Sequence, residues 1–145
     1  MRSMTRLFVV VSVLLGLTGC SYLFYPRASE YLERAKGASG VETMLNLATM
    51  LDASTKAARS PEKYQTAMDD LHNQFHALKD AFCQVTEQQA KTPAYAKAAM
   101  INKEMWAIFM RLWRHRTDQA SREVYLDLFG KRLQELRETL QGLKA

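Results

Sequence analysis

Residues 92–113 read TPAYAKAAMINKEMWAIFMRLW, and this stretch is the strongest indication of the fold. Thr92-Pro93 is a helix start, because a threonine side chain caps free N–H groups and a proline at the first helical position leaves no N–H unpaired. Apolar residues then recur every three or four positions, as on an α-helix. They cover about half of the circumference, more than a surface helix needs. This helix is therefore either the most buried one or has a face left for a partner.

Two further amphipathic segments precede it. The first begins after Ser39, which with Glu42 has the spacing of a capping box. The second begins at Ser60-Pro61, again a capping residue followed by proline. Their predicted spans are residues 40–59 and 61–89, and a two-turn helix at residues 29–36 is predicted before them.

A last amphipathic segment follows Thr117-Asp118 and extends to Leu143. Its leucines recur in steps of three and four like a coiled-coil seam, with Gly130 as an internal weak point. No proline or glycine lies between Pro93 and Gly130. A continuous helix over residues 93–143 therefore stays open as an alternative to two helices.

These segments together predict an all-α fold. No stretch alternates with period two, so we expect no sheet. Four amphipathic helices joined by short loops favour an antiparallel, up-down four-helix bundle, preceded by a short N-terminal helix or tether. The bundle domain is predicted at residues 39–145.

The first twenty residues, MRSMTRLFVVVSVLLGLTGC, have the form of a secretory signal. Two arginines precede an apolar run of about eleven residues, whereas a membrane-spanning helix needs roughly twenty. The ending Leu17-Thr18-Gly19-Cys20 resembles the lipobox of bacterial lipoproteins. This resemblance implies that residues 1–19 are removed and that Cys20 carries diacylglycerol and a further acyl chain such as palmitate. An ordinary cleaved signal that ends in cysteine is the alternative.

Residues 20–38 form the predicted anchor and membrane-proximal segment. In such lipoproteins an aspartate after the cysteine favours the inner membrane, and Ser21 stands here. The resemblance therefore implies the inner leaflet of the outer membrane, with the domain facing the periplasm. Leu23 and the three aromatic residues Tyr22, Phe24 and Tyr25 either lie at the lipid headgroups or pack on the bundle.

Composition excludes some classes of protein. Without residues 1–19 the chain keeps 126 of its 145 residues, and loss of the two signal arginines lowers the formal charge from +5 to +3. A balance of +3 in an anchored envelope protein does not indicate nucleic-acid binding. Once Cys20 carries lipid, Cys83 is the remaining thiol, so we predict no internal disulfide and a buried or partly buried Cys83.

His72 and His76 are the sharpest candidates for chemistry. They lie four residues apart on one side of a predicted helix, which is how two imidazoles can chelate zinc or copper. Asn73 stands where a zinc-protease motif has glutamate, and Cys83 is too far along the axis to share a metal with them. The alternative is a polar flank exposed to solvent. No catalytic motif and no haem-attachment motif is present, so we predict neither an enzyme nor a cofactor.

A second candidate site combines aromatic residues with arginines near the end of the Trp-rich helix. The helix macrodipole favours cations there and accounts for the arginines without a partner. The alternative is contact with anionic lipid or an acidic protein. The candidate residues are Trp106, Phe109, Trp113, Arg111, Arg114 and Arg116.

We therefore expect a lipid-anchored periplasmic accessory or assembly protein that works by protein–protein contact, as pilot and chaperone lipoproteins do. Its expected partners are the bilayer, through Cys20, and another envelope protein. The alternative is a helical bundle that binds a metal or small ligand through His72 and His76.

Overall fold

The computed structural model describes residues 26–144, and over this range all regular structure is helical, as predicted. None of the helices in this range is long and apolar enough to cross a membrane. Cys20 and residues 21–25, on which the predicted anchor depends, lie outside the described residues. The helices are α1 Pro26–Ala35, α2 Gly40–Ala57, α3 Tyr64–Phe82, α4 Glu87–Ala90, α5 Pro93–Arg114 and α6 Gln119–Lys144.

The predicted starts of α2 and α5 are confirmed by their caps. Ser39 Oγ accepts a hydrogen bond from the backbone N–H of Glu42 at 3.2 Å. The Glu42 carboxylate accepts from the N–H of Ala38 instead of Ser39, so the predicted capping box is formed in part. Thr92 Oγ1 accepts from the N–H of Tyr95 at 3.2 Å, with proline next in the chain. Each side chain satisfies one N–H group that the helix itself leaves unpaired.

The predicted helix over residues 61–89 is wrong at both ends. Ser60 and Pro61 lie in a turn, in which the N–H of Lys63 donates to the carbonyl of Ser60 at 3.1 Å, and α3 begins only afterwards. After Phe82 the chain turns and forms α4. A complete capping box of Thr86 and Gln89 starts this short helix, and such a local start competes with continuation of α3.

The structure decides between one helix and two for residues 93–143. α5 ends at Arg114, and the N–H of Asp118 donates to the carbonyl of His115 in the connecting turn. Asp118 Oδ1 then accepts from the N–H of Ala120 and caps α6. Two helices with a cap between them are therefore present.

The core forms between the predicted apolar faces. α2 packs against α3 and α6, α6 packs against α5, and α1 covers one end of α2 and α3. α3 and α5 have few backbone contacts with each other, so one side of the arrangement is open. The buried residues of α5 and α6 all lie on the apolar faces that the periodicity selects, although Trp106 on that face of α5 is 37% exposed. They are Ala98, Ile101, Met105, Phe109, Leu112, Leu126, Phe129, Leu133, Leu136 and Leu140.

Candidate partner-binding cleft

α3 and α5 are held apart by rings that project from both helices. Phe75 of α3 has its ring centroid 5.7 Å from those of Trp106 and Phe109 of α5, and 5.4 Å from that of Phe129. Rings of this size prevent the close backbone approach that smaller side chains would allow. The result is a groove along the open side, the α3/α5 cleft.

The cleft has two parts, which share His76 and Trp106. The larger part, of about 550 Å³, is the lysine end, and the smaller part, of about 340 Å³, is the histidine end. The lysine end is lined by Lys79, Phe82, Cys83, Tyr95, Asn102 and Lys103 in addition to the shared pair. The histidine end is lined by His72, Phe109, Met110 and Trp113 in addition to that pair.

The lysine end combines an apolar floor with cations and one unsatisfied acceptor. Phe82 forms part of the floor, and Lys79 and Lys103 bring positive charge from the two facing helices. Asn102 Oδ1 is buried and has no hydrogen-bond partner among the described residues. A buried acceptor without a donor costs free energy.

A hydrogen bond closes the far limit of the lysine end. Tyr95 Oη donates to the backbone carbonyl of Phe82 at 3.1 Å, and the two rings meet edge to face at 5.7 Å. The carbonyl belongs to the last residue of α3, where the helix supplies no N–H partner. The start of α5 is thereby tied to the end of α3.

At the histidine end, two imidazoles lie between aromatic rings. The Nε2 atoms of His72 and His76 are 3.3 Å apart. The ring of His72 stacks on Phe109 at 5.8 Å, and the ring of His76 meets Trp106 edge-on at 5.9 Å. Both histidines are half-buried, so the expected solvent-exposed flank is in part covered by α5.

Burial favours the neutral form of both imidazoles. It lowers the pKa of His72, and the nearby Asp69 opposes the effect. Burial also lowers the pKa of His76, assisted by the charges of His72 and Lys79 and opposed by Asp80. Both imidazoles are therefore mostly neutral at pH 7. Within residues 26–144, no three His, Cys, Asp or Glu side chains are placed to hold a metal together.

The aromatic and arginine candidates do not form one surface. Trp106 is 37% exposed at the mouth of the cleft, whereas Phe109 is buried in its floor. The Arg116 guanidinium lies 5.8 Å from the Trp113 ring centroid and donates to the Trp113 carbonyl. Arg111 faces away from the cleft, into a separate groove between α5 and α6. Arg114 is the last residue of α5, and its side chain is exposed.

Cys83 corrects another expectation, since it is exposed and lines the cleft. The reason is that α3 ends at Phe82, so the next residue leaves the buried face. The sequence also did not indicate that Lys79, Lys103 and Asn102 line a cleft. The apolar arc of α5, which is wider than a surface helix needs, did indicate that this helix has an open face.

Comparisons with protein-family models, curated proteins and solved structures find no match to this chain.

Proposed function

We propose that this protein is a lipid-anchored accessory or assembly protein of the bacterial envelope, and that it holds an amphipathic helix of a partner protein in the α3/α5 cleft. The observation that carries the proposal is Trp106, a large ring that is 37% exposed at the mouth of the cleft and lines both of its parts. Tryptophans in such positions often supply much of the binding energy at protein interfaces.

The arrangement of the helices favours a helical partner. We take α2, α3, α5 and α6 to be an up-down four-helix bundle in which the contact between α3 and α5 is incomplete. An apolar groove between two helices accepts the apolar face of a third, through residues spaced three and four apart. Helix–helix contacts with α3 and α5 would then cover the exposed part of Trp106.

The positive charge at the lysine end favours a partner helix with acidic residues. Lys79 and Lys103 lie on opposite walls, and none of the described residues that line this part of the cleft is a carboxylate. A helix with acidic residues beside its apolar face complements both lysines, which favours association and orientation.

The proposed location follows from the lipobox resemblance. Acylated Cys20 would hold the protein in the inner leaflet of the outer membrane, with the cleft in the periplasm. Pro26, the first residue of α1, is six positions after Cys20, and six residues reach at most about 20 Å. The partner is therefore expected at or near the membrane surface.

The test is photo-crosslinking in cells from single positions. A crosslinker at Lys103 should give a defined adduct, whereas one at Lys131, in the α5/α6 groove, should not. Trp106→Ala should abolish the Lys103 adduct. The matched control is Val124→Ala, which removes an apolar side chain 57% exposed on α6 and should leave the adduct unchanged.

Two results would overturn the proposal. One is the absence of any adduct from Lys103 at normal protein levels. The other is an adduct that forms equally from Lys103 and Lys131, or that survives Trp106→Ala, because contact would then not depend on the cleft.

A further inference from the structure

The spacing of His72 and His76 is that of a metal chelate. Their Nε2 atoms are 3.3 Å apart, one turn of α3 from each other. Two nitrogen ligands, each about 2.0 Å from a metal ion, are about 3.3 to 3.5 Å apart at tetrahedral or trigonal angles. One ion can therefore contact both atoms with little movement of either ring.

A thioether completes the set of donors at the histidine end. Met110 lines the same 340 Å³ space as the two histidines and is 44% exposed. Imidazole nitrogen suits zinc, copper, iron and nickel, whereas thioether sulfur selects soft ions, above all Cu(I). Two imidazoles together with one thioether therefore favour Cu(I) over zinc, iron and nickel.

The residues around the two histidines favour a monovalent metal ion over a divalent one. Among the described residues, no carboxylate lines the histidine end itself, and Asp69 and Asp80 act on the two histidines only from outside this half-buried, mainly aromatic space, so the charge of a divalent ion would be offset only in part. The faces of Trp106 and Trp113 can stabilise a monovalent cation through their π-electrons.

We propose that the histidine end of the cleft binds Cu(I), with His72 Nε2, His76 Nε2 and Met110 Sδ as ligands. The proposal does not require the partner helix, because apart from His76 and Trp106 it depends on side chains that the lysine end does not share. Metal would bind without any change in oxidation state.

The experiment measures Cu(I) affinity of the full chain in mild detergent, without oxygen, by competition with a chromophoric Cu(I) chelator. A Cys83→Ser background removes the exposed thiol, which would bind copper by itself. We expect one Cu(I) per chain and quenching of tryptophan fluorescence with the same stoichiometry.

Three variants in that background identify the ligands. His76→Gln and Met110→Leu should each weaken Cu(I) binding roughly tenfold or more, as expected for loss of a ligand. Met100→Leu is the matched control, because Met100 is 52% exposed on the same helix and should leave the affinity unchanged. Leucine and methionine differ little in volume, so the fold should persist.

The alternative is that His72 and His76 form a hydrogen bond with each other and bind no metal. In that case Cu(I) would not bind stoichiometrically, and the proposal would be overturned. It would also be overturned if Met110→Leu bound Cu(I) as tightly as Met100→Leu, or if Zn²⁺ bound more tightly than Cu(I). Loss of partner crosslinking would not bear on it.

Discussion

Tyr95 Oη donates a 3.1 Å hydrogen bond to the carbonyl oxygen of Phe82, and this bond joins the first turn of α5 to the last residue of α3. The two residues are thirteen positions apart, with the short helix α4 between them. The contact limits how far the cleft can open at its lysine end.

Tyr95→Phe should lower the free energy of unfolding by about 1 kcal/mol, because it removes one net hydrogen bond while the ring contact with Phe82 persists. Urea denaturation measures the change. Tyr125→Phe is the control, because the Tyr125 hydroxyl makes no hydrogen bond with the described residues and its loss should change stability by less than about 0.5 kcal/mol. Equal effects of the two substitutions would show that the Tyr95 bond is not stabilising.

Two glycines should respond to alanine in opposite directions. A Cβ at Gly40 would lie 2.6 Å from the carbonyl oxygen of Gln84, whereas a Cβ at Gly130 would meet nothing within 4 Å. Gly40→Ala should therefore destabilise the protein by about 1–3 kcal/mol, as overpacking does. Gly130→Ala, inside α6, should stabilise it by about 0.5–1 kcal/mol through higher helix propensity. Thermal and urea unfolding of both variants checks the sign, and a loss of stability in Gly130→Ala would contradict the packing described for α6.

The histidine pair should make stability depend on pH. Burial lowers the pKa of His72 and His76 below the ordinary value of 6.5, so the unfolded chain takes up protons first as the pH falls. The free energy of unfolding should therefore decrease as the pH falls through about 6.5, and level off below the folded-state pKa values. Urea unfolding between about pH 5 and pH 8 measures this slope. His72→Gln/His76→Gln should reduce it, and an unchanged slope in that double variant would assign it to other groups.

The lipid anchor has a direct chemical test. Cys20→Ser should leave an unprocessed or soluble protein that takes up no labelled palmitate, since serine cannot form the thioether. Cys83→Ser is the control and should remain labelled and membrane-bound. Membrane fractionation with palmitate labelling gives the answer. Attachment that persists in Cys20→Ser, together with an unlabelled parent protein, would contradict the lipoprotein assignment.

Local patterns were sufficient for much of the helical structure. Thr92-Pro93 correctly marked the start of α5, and Thr117-Asp118 correctly marked a break before α6. These signals act within one helical turn, through a side-chain oxygen and the nearest free N–H groups, so they can be recognised without a tertiary structure. The same reasoning failed at Ser60-Pro61, because a tight turn there uses the same residue types.

Features that depend on contacts between distant parts of the chain were harder to predict from the sequence. The apolar period continues past Phe82 to Val85, whereas the helix itself ends at Phe82 and the capping box of Thr86 starts a new one. Cys83 was expected to be buried or partly buried because it is an unpaired thiol in an oxidising compartment, and the structure leaves it exposed. The excess apolar surface of α5 correctly raised the possibility of an open face, but periodicity on one helix cannot tell which neighbour is missing.

The sequence by itself determined that the described domain is helical, where α5 and α6 begin, and which of their faces are apolar, because helix period and capping are local properties. Tertiary structure alone decided that α3 and α5 stand apart, that the Nε2 atoms of His72 and His76 share a space with Met110, and that Lys79 and Lys103 face one groove. These relationships depend on the volume of rings from two different helices, and no pattern along a single stretch of chain encodes the distance between helix axes.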